Sequence, residues 1–294
     1  MIDFLVIGGG IAGLSAGARL SEHGAVTVLE SETALGYHAS GRSAALFEQN
    51  YGLAPTVALS IASAEYHHTA NGGYLSPRGL MLVAGADQQA EYEADVVALG
   101  LTPISVEDAL SRVPILNPDT VALTAHHEAA LDIDTDRMLQ DFARIIRANG
   151  GQVLTKQTVT AISRTGHWNV QAAELFEARN LVNAAGAWVD VIAEMAGVAP
   201  IGITPCRRSM ARLPAPGGHD VSGWPMLMGV GESWYAKPDA GKLLVSPADA
   251  DPTTPHDAYA DDMVLAEGLA RYEERVTIPV TRVEHNWAGL RSFA

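Results

Sequence analysis

The chain has 294 residues, enough for one large domain or two interwoven ones around a sizeable core. Hydrophobic residues make up 48% and charged residues 18%, a balance that excludes a disordered chain. A formal charge of −15 removes the electrostatic case for gripping nucleic acid or anionic lipid, and a single cysteine, Cys206, excludes an internal disulfide framework and any multi-cysteine metal site.

Residues 3–7 read as a buried strand, 11–23 as a helix with Ile11, Leu14, Ala18 and Leu20 on one stripe, and 25–30 as a second strand. Strand, helix, strand is the start of a parallel sheet covered by helices. A helix is expected over 54–70, strand pieces over 73–84 and 121–131, and surface helices over 87–100 and 106–113. Residues 134–149 form a further helix, with Asp134 or Thr135 as its cap and Gly150-Gly151 as its stop. Strand-like runs follow at 152–162, 168–171 and 180–183, then a helix at 187–196. After Pro200, prolines and glycines break the chain into strand-length runs, which predicts a β-rich layer with one helix at 259–275. There is no run of about 18 apolar residues, so no membrane span is expected. Asp3 stands where a signal peptide would carry basic residues, so the expectation is a cytoplasmic protein.

Gly8-Gly9-Gly10-Ile11-Ala12-Gly13 fits G-x-G-x-x-G, directly after a strand and directly before a helix. Gly8 allows the tight turn, Gly10 lets a pyrophosphate approach the backbone, and Gly13 lets helix and strand pack closely. The helix N-terminus turns its free N–H groups and positive dipole end to the phosphates. Glu30 closes the next strand, where it would accept hydrogen bonds from an adenosine ribose and disfavour a 2′-phosphate. Two further stretches bring small residues to a cofactor: Gly36-Tyr37-His38-Ala39-Ser40-Gly41-Arg42-Ser43-Ala44-Ala45 and Leu181 to Trp188. Together the three point to a flavoprotein rather than an NAD-dependent dehydrogenase.

On these stretches the chain resembles the FAD-dependent D-amino-acid oxidase superfamily, which includes glycine and sarcosine oxidases. The likeness extends through Asp132-Ile133-Asp134-Thr135-Asp136, Trp224-Pro225-Met226-Leu227, Tyr235 to Gly241 and Trp287 to Phe293, and within the superfamily it is greatest to bacterial D-arginine dehydrogenases. The resemblance implies a Rossmann-like α/β FAD-binding domain at 1–72, 132–200 and 285–294. It implies an inserted antiparallel, β-rich substrate-binding domain at 73–131 and 201–284. It also implies non-covalent FAD, hydride transfer from substrate Cα to flavin N5, and an imino acid that hydrolyses to a 2-oxo acid. The family continues beyond the Trp287–Phe293 stretch, so the chain reads as most of a longer flavoenzyme.

Carried over by position, Arg208 and Arg291 would hold the substrate carboxylate, a pairing suited to planar guanidinium groups. Tyr235 and Tyr51 would contact substrate. Gly8, Gly10, Ile11, Ala12, Gly13, Glu30, Arg42, Ser43, Ala44, Val159, Gly186 and Trp188 would bind the cofactor. Arg207 and Arg208 are neighbours on one strand and point to opposite faces, so only one can face the site. Cys206, beside them, reads as structural. Leu46 and Leu80 stand where the D-arginine enzymes carry a histidine near the substrate and a glutamate that pairs with its guanidinium. Losing such a charge-assisted contact costs on the order of 2–3 kcal/mol, so neutral or apolar D-amino acids are expected over D-arginine. Glycine, sarcosine or another secondary amine is the alternative substrate, and a non-catalytic flavin-binding fragment is the alternative of another kind. The histidine pairs 67–68 and 126–127 read as surface or loop residues without a metal site, and Asp249, Asp251, Asp261 and Asp262 as solvated charges. The electron acceptor, whether quinone, carrier or oxygen, leaves no mark in the sequence.

Overall fold

The computed structural model describes all residues from Met1 to Ala294. The chain opens with β1 (Ile2–Ile7), α1 (Ile11–Leu20) and β2 (Val26–Leu29), then β3 (Leu46–Phe47) and α2 (Ala54–Thr69). Next come β4 (Leu75–Pro77), β5 (Leu80–Ala84), α3 (Gln89–Leu99), β6 (Thr102–Ile104), α4 (Val106–Arg112), β7 (Leu123–His127) and β8 (Leu131–Ile133). These lead to α5 (Thr135–Ala148), β9 (Gln152–Leu154), β10 (Ala161–Thr165), β11 (His167–Gln171), β12 (Leu175–Asn183) and α6 (Val189–Met195). The last part carries β13 (Thr204–Leu213), β14 (Met226–Gly229), β15 (Tyr235–Asp239), β16 (Lys242–Ser246), β17 (Asp251–Pro252), α7 (Asp262–Glu273) and β18 (His285–Phe293).

The first sheet has the order β10-β11-β12-β1-β2-β9. Its β12-β1-β2-β9 portion is parallel, and β10 to β12 add an antiparallel meander. Helix α5 shows why the parallel part is stable. Met138, Leu139, Phe142, Ala143 and Ile146 recur at helical spacing and bury against Val6, Val26 and Val28 of the sheet and Leu14 and Ala18 of α1. Asp134 caps it by accepting the Arg137 N–H at 2.9 Å. The other face of the sheet packs on Ile192 of α6.

The second sheet runs β17-β13-β16-β15-β14-β5-β7-β6, with β18 paired along β13. Its residues alternate between two faces, as the pleat requires. Met81, Val83, Leu227, Ala236 and Val245 face one core with Leu265 and Tyr272 of α7. Leu80, Leu82, Met226, Met228 and Tyr235 face another with Tyr92 and Leu99 of α3, and Ala44, Leu46 and Tyr51 pack onto that side. This second face carries the candidate site. A three-stranded sheet, β3-β8-β4, joins the two parts.

Four expectations change. The run 152–162 is two strands, because the chain turns at Lys156 (φ 58°) and Gln157 N–H donates to the Glu30 carbonyl at 2.8 Å. The last helix begins at Asp262, because the Asp261 carboxylate accepts the Met263 and Val264 N–H groups. Asp249 is not solvated: its side chain is 4% exposed and accepts from Ser209 N–H (2.6 Å), Ser209 Oγ (2.8 Å) and Arg207 Nε (3.3 Å). Its carboxylate plugs the gap that β13 leaves between its pairings with β16 and β17. Finally, residues 285–293 form a strand whose whole length pairs with β13, so this segment is hydrogen-bonded into the second sheet rather than the nucleotide-type first sheet. No helix is long and apolar enough to cross a membrane.

Candidate functional site

Two cavities meet near the join of the sheets. The larger, about 470 Å³, is lined by Gly8, Gly10, Ile11 and Ala12 of the glycine turn, by Glu30 at the end of β2, and by Val159, Gly186 and Trp188. Gly10 caps α1 without a side chain, and the first turn holds no acid, so the helix start presents only backbone N–H groups and its positive end. Gly8 has a φ of 114°, and a Cβ there would lie 2.3 Å from the Ala184 carbonyl oxygen. Gly13 lines neither cavity. A Cβ at Gly13 would lie 1.9 Å from the Gly8 carbonyl oxygen, so its place is close packing, as the spacing predicts. Glu30 is buried and accepts the Gly9 N–H at 2.7 Å and the Glu32 N–H at 2.9 Å, which fixes its carboxylate at the cavity wall. Gln157 Oε1 is buried, has no hydrogen-bond partner and belongs to a wall residue of this cavity. A backbone cradle that side chains would fill, an acid at the ribose end and an orphan acceptor together fit a dinucleotide such as FAD.

The smaller cavity, about 280 Å³, is lined by Ser43, Ala44, Leu46, Tyr51, Leu80, Arg208, Tyr235 and Arg291, among others. It shares Ala39 and Leu290 with the larger one, so the two lie wall to wall. Strand register explains the arginines. Cys206 pairs with Arg291, and Arg208 pairs with Gly289. Residues 206 and 208 share a face, so Arg208 and Arg291 are diagonal neighbours on it, with Gly289 leaving space between. Arg207 points the other way, to Asp249 and Asp251. Arg208 Nε donates to the Asp249 carbonyl at 2.7 Å, and its guanidinium sits 6.0 Å from the Tyr235 ring centroid. Arg291 donates from both Nη atoms to Tyr51 Oη at 3.3 Å. Burial and then the nearby Glu232 carboxylate push the Tyr51 hydroxyl above its ordinary pKa, against a smaller pull from Arg291, so it stays protonated. For Arg291, burial works against the charge, but Tyr51 and Glu232 more than offset it and its pKa is raised.

Sequence reasoning missed Glu232. Its carboxylate lines the smaller cavity 3.9 Å from Arg208, at a backbone φ of 52°. No period or motif marks it. The apolar end of the cavity, Leu46, Leu80, Leu99, Met226 and Met228, also contains the buried Glu48.

Arg42 borders this cavity, but its guanidinium is committed elsewhere. It donates to the Tyr37, Ala258 and Ala288 carbonyls and to Asp257 Oδ1 at 2.6 Å. It is a clamp between the 36–45 loop and the second sheet rather than a free cofactor ligand. Burial works to raise the Asp257 pKa, but the Arg42 hydrogen bond and charge outweigh it and hold the carboxyl below its usual value. A lowered folded-state pKa means the pair stabilises above the unfolded carboxyl's value of about 3.9 and loses that contribution as pH falls through the folded value. Asp257→Asn should therefore lower the urea midpoint near neutral pH, and the gap from the parent should close as pH drops toward about 3. A gap unchanged by acid would show that the charge pair is not its source.

Cys206 is buried on β13 and lines neither cavity. His126 and His127 are not surface residues. His126 is 6% exposed, and burial, followed by the charge of Arg112, lowers its pKa.

The sequence model of the DAO family, described as FAD dependent oxidoreductase, matches residues 3–294. A curated relative, FAD-dependent oxidoreductase domain-containing protein 1 of Bos taurus, is 26% identical over 241 residues, 67% of this chain and 49% of that protein. The chain thus spans about half the length of that relative. Among solved structures, L-α-glycerophosphate oxidase from Mycoplasma pneumoniae with FAD bound superposes with a TM-score of 0.85 at 19% identity, over 99% of this chain and 83% of that one. L-Proline dehydrogenase from P. horikoshii gives 0.80 at 19%, over 98% and 81%. Glycine oxidase from Geobacillus kaustophilus gives 0.78 at 20%, over 99% and 82%. The structural likenesses establish the fold, and the match along nearly the whole sequence establishes the lineage: the chain belongs to the DAO family of FAD-dependent oxidoreductases.

Proposed function

We propose that this chain oxidises the Cα–N bond of D-amino acids, with neutral or apolar side chains preferred to D-arginine. The observation that carries the reading is two arginines, Arg208 and Arg291, on one sheet face in a cavity that shares a wall with the dinucleotide cradle. FAD, when held there without a covalent bond, supplies the two-electron acceptor for the Cα hydride, and the imino acid released hydrolyses to a 2-oxo acid and ammonia. Gly8, Gly10, Ile11, Ala12, Glu30, Val159, Gly186 and Trp188 would hold it from one side, and the backbone of Ser43 and Ala44 from the other.

The chain's own residues do the positioning. Arg291 and Arg208 orient the substrate carboxylate by paired hydrogen bonds. Tyr51 Oη, kept protonated, donates to the same carboxylate, and the Tyr235 ring closes the side of the cavity. Glu232, beside both arginines, offers an acceptor for the substrate amine. Leu46, Leu80, Leu99, Met226 and Met228 exclude water around the side chain, and the one carboxylate at this end, Glu48, is turned to His127 and the Asn50 N–H rather than left for a guanidinium. In domain terms, 1–72 and 132–200 would carry the cofactor and 73–131 with 201–284 the substrate, and the 285–293 strand, paired along β13, goes with the substrate part while lending Leu290 to the larger cavity.

Steady-state rates with an artificial acceptor on D- and L-leucine, methionine, phenylalanine and arginine, with glycine, sarcosine and proline alongside, test the proposal. The expected order is neutral D-amino acids first, with D-arginine at least about tenfold lower in kcat/KM. A clear D-arginine preference overturns the specificity, and a faster rate on sarcosine or proline overturns the substrate class.

A further inference from the structure

We infer that Glu48 is a positioning residue for the Tyr51–Arg291 pair, held in place by His127; this rests on reading the smaller cavity as a carboxylate-binding pocket. Glu48 and His127 have side chains only 6% and 12% exposed, and Glu48 Oε2 lies 2.8 Å from His127 Nε2. Both atoms are buried and neither makes a hydrogen bond of good geometry, so the two face each other as a close charge contact and have no other partner. A buried carboxylate needs a partner, and His127 is the one within reach.

The register shows how His127 gets there. It pairs with Leu80 on β5, which pairs in turn with Met226 on β14, so all three side chains share the cavity-facing side of the sheet. Glu48 comes from the irregular turn between β3 and α2, beyond the last residue that β3 pairs with β8. No strand ladder fixes that turn, and its own polar groups do so instead. Glu48 Oε1 accepts the Asn50 N–H at 2.9 Å, and the Glu48 carbonyl accepts the Tyr51 N–H at 3.3 Å. Asn50 Nδ2 donates to the Leu99 carbonyl at 3.2 Å. Tyr51 Oη then receives both Nη donors of Arg291. The sequence of contacts runs from the rigid strand β7, through His127 and Glu48, to the backbone of Tyr51 and so to the arginine. The pair therefore sets where the Tyr51 hydroxyl stands without touching the reacting atoms.

The test uses the purified chain with its FAD and measures benzoate affinity by titration calorimetry, together with KM and kcat. Glu48→Gln keeps an acceptor for Asn50 and removes the charge that faces His127. It should weaken benzoate binding about tenfold, and raise KM more than it lowers kcat. His127→Gln should do the same from the other side, and serves if Glu48→Gln fails to fold. The double variant Glu48→Gln/Tyr51→Phe should bind benzoate no more weakly than Tyr51→Phe alone, because the first change acts through the second residue. Additive losses, or parental affinity in both single variants, would overturn the inference while leaving the pocket intact. Absence of benzoate binding by the parent chain would overturn the carboxylate reading of the pocket and the inference with it.

Discussion

Replacing Arg291 with methionine should lower kcat/KM for the preferred amino acid by roughly a hundred- to a thousandfold, the equivalent of about 3–4 kcal/mol. The side chain is half-buried, and its two Nη donors already converge on one point, Tyr51 Oη. Each Nη carries a second N–H, so Arg291 can keep Tyr51 Oη and still offer donors to a carboxylate entering the cavity. Methionine keeps the packing volume but leaves that carboxylate desolvated and unpaired, which is the costly part of the change. Lysine should recover part of the loss, because it restores the charge but not the two parallel donors. Arg208→Met should cost less, because Arg208 Nε is engaged by the Asp249 carbonyl and Glu232 sits 3.9 Å from its Nη2. The measurement is kcat and KM for each variant, with FAD content checked by absorbance. If Arg291→Met matches the parent, the arginine pair does not hold substrate.

The same arginines show what a sequence can and cannot convey about this site. Alternation along β13 implies that Arg207 and Arg208 point apart. It does not say which one faces inward. That choice depends on Asp249, forty residues on, whose carboxylate reaches Arg207 Nε and the Ser209 N–H. A lone aspartate in a polar loop carries no local signal of burial. Glu232 is hidden for a related reason: it reaches the cavity by a left-handed turn, not by strand or helix period. The opening β1-α1-β2 unit was legible because its signal is local. Glycine spacing, strand alternation and a helix stripe all fall within 30 residues, and each reports a contact made inside the unit. The run 152–162, which is β9 and the approach to β10, is only half legible. Its strands alternate, but the break at Lys156 depends on the Glu30 carbonyl, a partner contributed from β2's end. The burial of His127 is hidden likewise: neighbours on β7 point apart, but what faces His127 is Glu48, from the turn after β3.

Gly13→Val should yield no soluble protein that retains FAD. The reason is backbone geometry and not the loss of any contact. A Cβ at residue 13 would stand 1.9 Å from the Gly8 carbonyl oxygen and 3.4 Å from Ala184 Cβ. A side-chain rotation cannot relieve a clash with a backbone oxygen, so α1 would have to move away from β1. That movement would break the packing of Leu14 and Ala18 against Val6 and Val28 in a fully buried core, and would withdraw the helix start from the cavity it lines. The control is Gly150→Ala. Gly150 has a left-handed φ, 82°, which Gly13 inside α1 does not, and no heavy atom lies within 4 Å of its Cβ position. That change should cost only the strain of a non-glycine residue there, about 1–2 kcal/mol, and should leave the flavin absorption band unchanged. Solubility, flavin absorbance and urea midpoints for the two variants separate steric closeness from conformational strain. Parental FAD binding by Gly13→Val would show that the third glycine of the turn is not needed for close approach of helix and strand.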